Sequence, residues 1–183
     1  IGGRVITPSE VAKSLGINEV FADVILDVIR DILSSRGITV VPDKVILKCI
    51  DNKSIASEGS IVIHLDDLYD CVKEKVEDLS LLELKSLIHR LMVQGIIKQP
   101  VEVYDDDTLD QILQDEQEKY DSGLIPADSL PNSLLQLMTK KGILLKVCEP
   151  GYYLPLYTKD NPKSKSIDKF ANYISRNVSN IIR

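Results

Sequence analysis

The sequence holds no tryptophan, two phenylalanines and two histidines, and aromatic residues make up only 5% of its 183 positions. His64 and His89 stand without carboxylates or thiols at ligand spacing, so no metal centre is expected. The three cysteines, Cys49, Cys71 and Cys148, are an odd number, far apart and without a CxxC. They are expected as small buried thiols of a cytoplasmic protein. No apolar run approaches the roughly 20 residues of a membrane helix, and the opening residues do not read as a signal peptide. The chain starts on Ile1 rather than Met and ends inside a helical pattern, so a trimmed piece of a longer protein is expected. The GxxxxGK[ST], GxGxxG, GxSxG and HExxH motifs are missing, and Gly2-Gly3 is terminal. Asp105-Asp106-Asp107 lacks the spacing and the bend glycine of a calcium loop, which favours a solvated acidic stretch. No catalytic residue, metal or cofactor is therefore expected.

Against these absences stand 44% hydrophobic and 27% charged residues, the composition of a globular chain of about one or two domains. The net charge of −6 is unevenly placed. Residues 1–101 carry 12 bases and 15 acids, residues 102–128 one base and ten acids, and residues 129–183 nine bases and three acids. An acidic middle is thus followed by a basic end.

Three segments share one shape: VIRDILSSRGITVV (Val28–Val41), SLIHRLMVQGIIKQPV (Ser86–Val101) and SLLQLMTKKGILLKV (Ser133–Val147). Each runs from an apolar helical stripe through a Gly-Ile step into residues suited to a strand. Glycine fits just past a helix end because the left-handed conformation needed there penalises a Cβ.

Ahead of the first segment, Ile6-Thr7-Pro8-Ser9-Glu10-Val11-Ala12-Lys13-Ser14-Leu15-Gly16-Ile17 has Thr7 as N-cap, Pro8 at the first helical position and Glu10 at the third. Val11 and Leu15 are expected to face the core, Gly16 to make the turn, and the next helix to open near Asn18. This stretch resembles the second helix of a helix-turn-helix, and the helix–Gly-Ile–strand pattern resembles the winged-helix branch of that superfamily. The resemblance implies an α+β, helix-rich fold of tandem winged-helix-like units with short β-hairpin wings, closed by a C-terminal amphipathic helix. It points to archaeal or archaeal-virus DNA-associated proteins. The Ile-rich, aromatic-poor composition fits such an AT-rich or thermophilic source.

Three such units are expected. The first spans 1–65, with Lys44–Ile50 and Ser60–Leu65 as its wing because both alternate apolar and polar residues. The second spans 66–104, with a helix from Asp67, further helix over Leu79–Gln94 and a strand over Ile96–Tyr104. Residues 105–128 form an acidic linker or helix. The third spans 129–183, with a helix over Leu130–Lys141, a hairpin over Ile143–Tyr157 turning at Glu149-Pro150-Gly151, and a Ser166-capped last helix. Ile167, Ala171, Ile174, Val178 and Ile181 of that helix follow a heptad.

A helix that reads DNA must present polar and basic side chains. The Glu19–Arg36 helix instead carries Glu19, Asp23, Asp27 and Asp31 beside a double apolar row, which suits core packing or a subunit contact. A protein partner or second copy is expected on Phe21, Ile25 and Ile29, and on Ile167, Phe170, Ile174 and Val178. The third unit has the better chemistry for phosphate: Lys140, Lys141, Lys146, Lys159, Lys163, Lys165 and Lys169, with Tyr152 and Tyr153 for stacking. The leading expectation is a non-enzymatic, DNA-associated homodimer or complex subunit in replication, transcription or segregation. The alternative is a protein–protein scaffold that uses winged-helix units for docking, without nucleic-acid contact.

Overall fold

The computed structural model describes residues 4–57, 59–148, 151–156 and 166–182. It is helix-rich and α+β. Contacts divide the chain into two compact units, one of residues 1–54 with 65–101, the other of 55–64 with 102–183. That grouping differs from four successive segments split after 65, 104 and 128. The reason is a hairpin whose sheet partner lies forty residues further along the chain.

In the first unit, β1 (Arg4–Ile6) leads to α1 (Pro8–Leu15) and α2 (Glu19–Ser35), and β2 (Ile38–Val40) then pairs with β1 in parallel. α3 (Asp43–Lys53), α4 (Leu65–Lys73) and α5 (Leu81–Val93) complete it. Thr7 caps α1 by accepting from the Glu10 N–H, with Pro8 at the first turn, as its sequence predicts. Asn18 caps α2. Ser80 and Glu83 form a reciprocal capping box at the start of α5.

The second unit opens with the hairpin of β3 (Ile55–Ser57) and β4 (Ser60–His64), and β5 (Val101–Tyr104) adds to it in the order β3-β4-β5. α6 (Asp106–Gln117), β6 (Ile125–Pro126), α7 (Asn132–Lys140), β7 (Leu144–Cys148), β8 (Tyr152–Pro155), α8 (Ser166–Arg176) and α9 (Val178–Ile181) follow. A second sheet has the order β6-β8-β7, all antiparallel. Its core joins Leu109 and Leu113 of α6, Ile125, Leu134, Leu135 and Met138 of α7, Ile143, Leu144 and Tyr153.

The Gly-Ile steps end α2, α5 and α7 as the sequence predicts: Gly37, Gly95 and Gly142 have φ of 75°, 75° and 78°. After α5 and α7 the isoleucine N–H returns to a carbonyl five residues back, Ile96 to Leu91 and Ile143 to Met138, satisfying orphan helix carbonyls.

Several expectations need correction. Lys44–Ile50 is helical, not a wing strand, because Ile46, Cys49 and Ile50 recur at helical spacing and all three are buried. Cys49 and Cys71 are joined in a disulfide between α3 and α4, Cα atoms 5.8 Å apart, so these two are not free thiols. The strand predicted over Ile96–Tyr104 begins only at Val101. Of the two forms expected for the acidic stretch, linker or helix, the helix is present over Asp106–Gln117, with Asp105 as its N-cap and Leu109 and Leu113 buried. The last helix is interrupted at Asn177, so its heptad is not continuous. Glu149 and Pro150 of the predicted turn lie outside the described residues.

Candidate functional site

The apolar row of α2 divides into two faces. Ala22 and Leu26 are buried, with Ile29 and Leu33 half-buried behind them. The remaining large apolar residues, Val20, Phe21, Val24, Ile25, Val28 and Ile32, are exposed, Phe21 at 65% and Val28 at 77%. At 100° per residue, Phe21, Ile25, Val28 and Ile32 fall on one line of the helix surface. Asp23 and Arg30 fall on the opposite side. Seventeen residues of helix held by a narrow contact thus present a wide apolar face to solvent, with Asp31 beside Val24 at its edge.

The anchoring of this helix is polar as well as apolar. Ser9 of α1 donates to Glu19 at 3.1 Å, and its N–H donates to Asp43 at 2.9 Å. On the other side of α1, Arg90 of α5 grips Glu10 through two nitrogens (3.1 and 2.9 Å) and also donates to the Val5 carbonyl at 2.7 Å. Gln94 and Thr7 donate to the same carboxylate. Burial acts to raise the Glu10 carboxyl, but Arg90, Gln94 and Thr7 outweigh it and hold the group below 4.5. A groove of about 780 Å³ runs beside this network, with Val11, Leu15 and Leu82 among its lining. Nothing in the sequence pairs Glu10 with Arg90, eighty positions apart.

In the second unit the residues expected to meet phosphate scatter. Lys140 is exposed at the end of α7 and Lys146 is exposed on β7, while Lys141 is half-buried. Lys169 donates to the Gln117 carbonyl at 2.7 Å. Tyr153 is only 8% exposed and belongs to the core, which closes it to stacking. Tyr152 is exposed, but its neighbours on the hairpin are the exposed Leu145 and Val147. Lys159, Lys163 and Lys165 lie outside the described residues. Ile167 and Phe170 are half-buried, and Ile174 and Val178 are exposed.

One polar pair escaped the sequence reading. His64, at the end of β4 and 1% exposed, meets Asp106 of α6 at 2.6 Å. The run of aspartates gave no sign that one of them would close on a buried imidazole.

No family model matches the chain, and neither a curated protein nor a solved structure is similar to it.

Proposed function

We propose that this chain is a non-enzymatic docking protein, and that the exposed face of α2 is where a protein partner seats. The single observation that carries the reading is the run of six large apolar side chains left open on one helix. Contiguous apolar surface of that extent costs solubility and marks interaction sites on soluble proteins. Leu145, Val147 and Tyr152 on the second unit's hairpin add apolar surface there beside the exposed Lys146, which also favours protein contact.

The test is affinity capture from an extract of the source cells, with the wild type beside Phe21→Asp and Val28→Asp. A partner that rebinds as a purified protein, and loses at least about tenfold in affinity to either variant, supports the reading. Capture indifferent to both variants rejects it.

Nucleic-acid association is a second reading, favoured by the β6-β8-β7 order. α7, the Gly142-Ile143 step and the β7–β8 hairpin, whose β8 is the middle strand of that sheet, follow the helix, Gly-Ile, hairpin order that the winged-helix resemblance implies for the third unit. Lys140, Lys141 and Lys146 would then face phosphate, with the settings remaining replication, transcription or segregation. Fluorescence anisotropy with a labelled duplex decides it. A Lys140→Glu/Lys141→Glu variant should bind more weakly, with a shallower salt slope.

A further inference from the structure

We infer that the partner on α2 is a second copy of this chain, paired helix to helix in parallel through Phe21, Ile25, Val28 and Ile32. The inference rests on the docking reading of α2 and names the occupant.

The spacings between those four residues are 4, 3 and 4, those of alternating d and a positions in a heptad. Phe21 and Val28 then stand at d, and Ile25 and Ile32 at a. β-branched isoleucine at a is the choice found in two-stranded pairs, where leucine stands at the d positions held here by Phe21 and Val28. This assignment fixes the flanks. Val24 and Asp31 fall at g, while Ile29 and Arg36 fall at e.

The two orientations differ in what those flanks meet. In a parallel pair each g residue faces the e residue five positions later on the other copy. Val24 then meets Ile29 of the second copy, and Asp31 meets its Arg36. Apolar faces apolar and acid faces base, twice each by symmetry. In an antiparallel pair g faces g and e faces e. With Phe21 against Ile32 and Ile25 against Val28, the Asp31 carboxylate would then lie against Val24, desolvated without a partner, while Arg36 would run past the end of the other copy's helix. Complementarity selects the parallel pair. Asp23, Asp27 and Arg30 stay off the seam in either case, and Arg30 has Asp27 at 3.7 Å on its own helix.

The area is adequate but not generous. Five side chains, Phe21, Val24, Ile25, Val28 and Ile32, with about half or more of their surface free, expose roughly 500 Å² per copy, so a pair buries on the order of 1,000 Å², the lower bound for a specific interface. A reversible dimer follows, forming at micromolar rather than nanomolar concentration. Two heptads would be too short for isolated peptides, but α2 is already folded against its own unit, so pairing does not have to form the helix.

Sedimentation velocity on the purified chain, from about 1 to 200 µM, reads the equilibrium. The wild type should pass from monomer to dimer over that range. Val28→Asp, at a site with no intramolecular burial to lose, should weaken the dimer at least about tenfold with an unchanged circular dichroism spectrum. Asp31→Arg and Arg36→Glu should each weaken it about threefold or more, and the double swap should recover most of the loss. A wild type that stays monomeric throughout, or a dimer indifferent to Val28→Asp, overturns the proposal. A double swap no better than the singles overturns the parallel pairing. A monomeric wild type that still captures a different protein, and loses it on Val28→Asp, removes the second copy while leaving α2 a docking face.

Discussion

Glu10 and Arg90 show how a single pair can hold two distant pieces of chain in register. The guanidinium spans the Glu10 carboxylate and the Val5 carbonyl, so one side chain fixes both α1 and β1 to α5. With Glu10 mostly covered and Arg90 partly so, removing the arginine leaves a carboxylate short of its main partner. Arg90→Ala should therefore lower the unfolding free energy in urea by about 1–3 kcal/mol at neutral pH. The folded carboxyl releases its proton more readily than an unfolded one. Its contribution is thus complete above 4.5 and disappears as acid takes the pH down through the lower folded value. Arg90→Ala should flatten that acid limb, which denaturation at several pH values measures. Gly123 is a second sensitive position. At φ of +76°, a Cβ there would lie 2.8 Å from the Ser166 carbonyl oxygen, where α8 begins. Gly123→Ala should lower the melting temperature by several degrees, since both strain and the close approach oppose it. Neither pairing can be read from sequence, because each joins residues with no local pattern in common.

At the scale of elements, the readable features were those whose cause is local. The N-cap at Thr7, the helix start near Asn18 and the left-handed glycines after α2, α5 and α7 all follow from neighbours within five residues. α3 misled because Val45, Leu47 and Cys49 alternate with polar or aliphatic residues as a strand would. Only the burial of Ile46, Cys49 and Ile50 together reveals the helix. The disulfide was missed for another reason: an odd number of cysteines, far apart and without a CxxC, reads as free thiols, and only the packing of α3 on α4 brings Cys49 to Cys71. That bond closes a loop of 22 residues, so its reduction, or Cys49→Ser with Cys71→Ser, should cost about 3 kcal/mol of stability. Urea unfolding with and without reductant gives the number. A difference near zero would mean that the helices hold their places without it. α2 was recognised from its double apolar row as either core or contact. The structure apportions the row, with Ala22 and Leu26 inward and Phe21, Val24, Ile25 and Val28 outward. Periodicity alone cannot apportion it, because both faces are apolar.

For the whole molecule, the fold class was legible and the partition was not. Helix-rich α+β follows from the stripes and Gly-Ile steps, whereas units built from interleaved segments depend on which strand finds which edge. The chain passes between the units after Ser54, after His64 and after Val101. A fragment of residues 102–183 therefore lacks β4, the neighbour of β5, and β3 beyond it. It should give a poorly dispersed amide spectrum, in contrast to the full chain. A well-dispersed spectrum would show that the β6-β8-β7 sheet and its helices suffice alone. The interleaving also orders events during synthesis. The β3–β4 hairpin lies inside the loop closed by Cys49 and Cys71, so on the ribosome it is complete well before β5 emerges. Until then one edge of β4 has no strand beside it, the condition under which nascent chains pair with the wrong neighbour. The cysteine pair draws together the two ends of the segment that bears this hairpin.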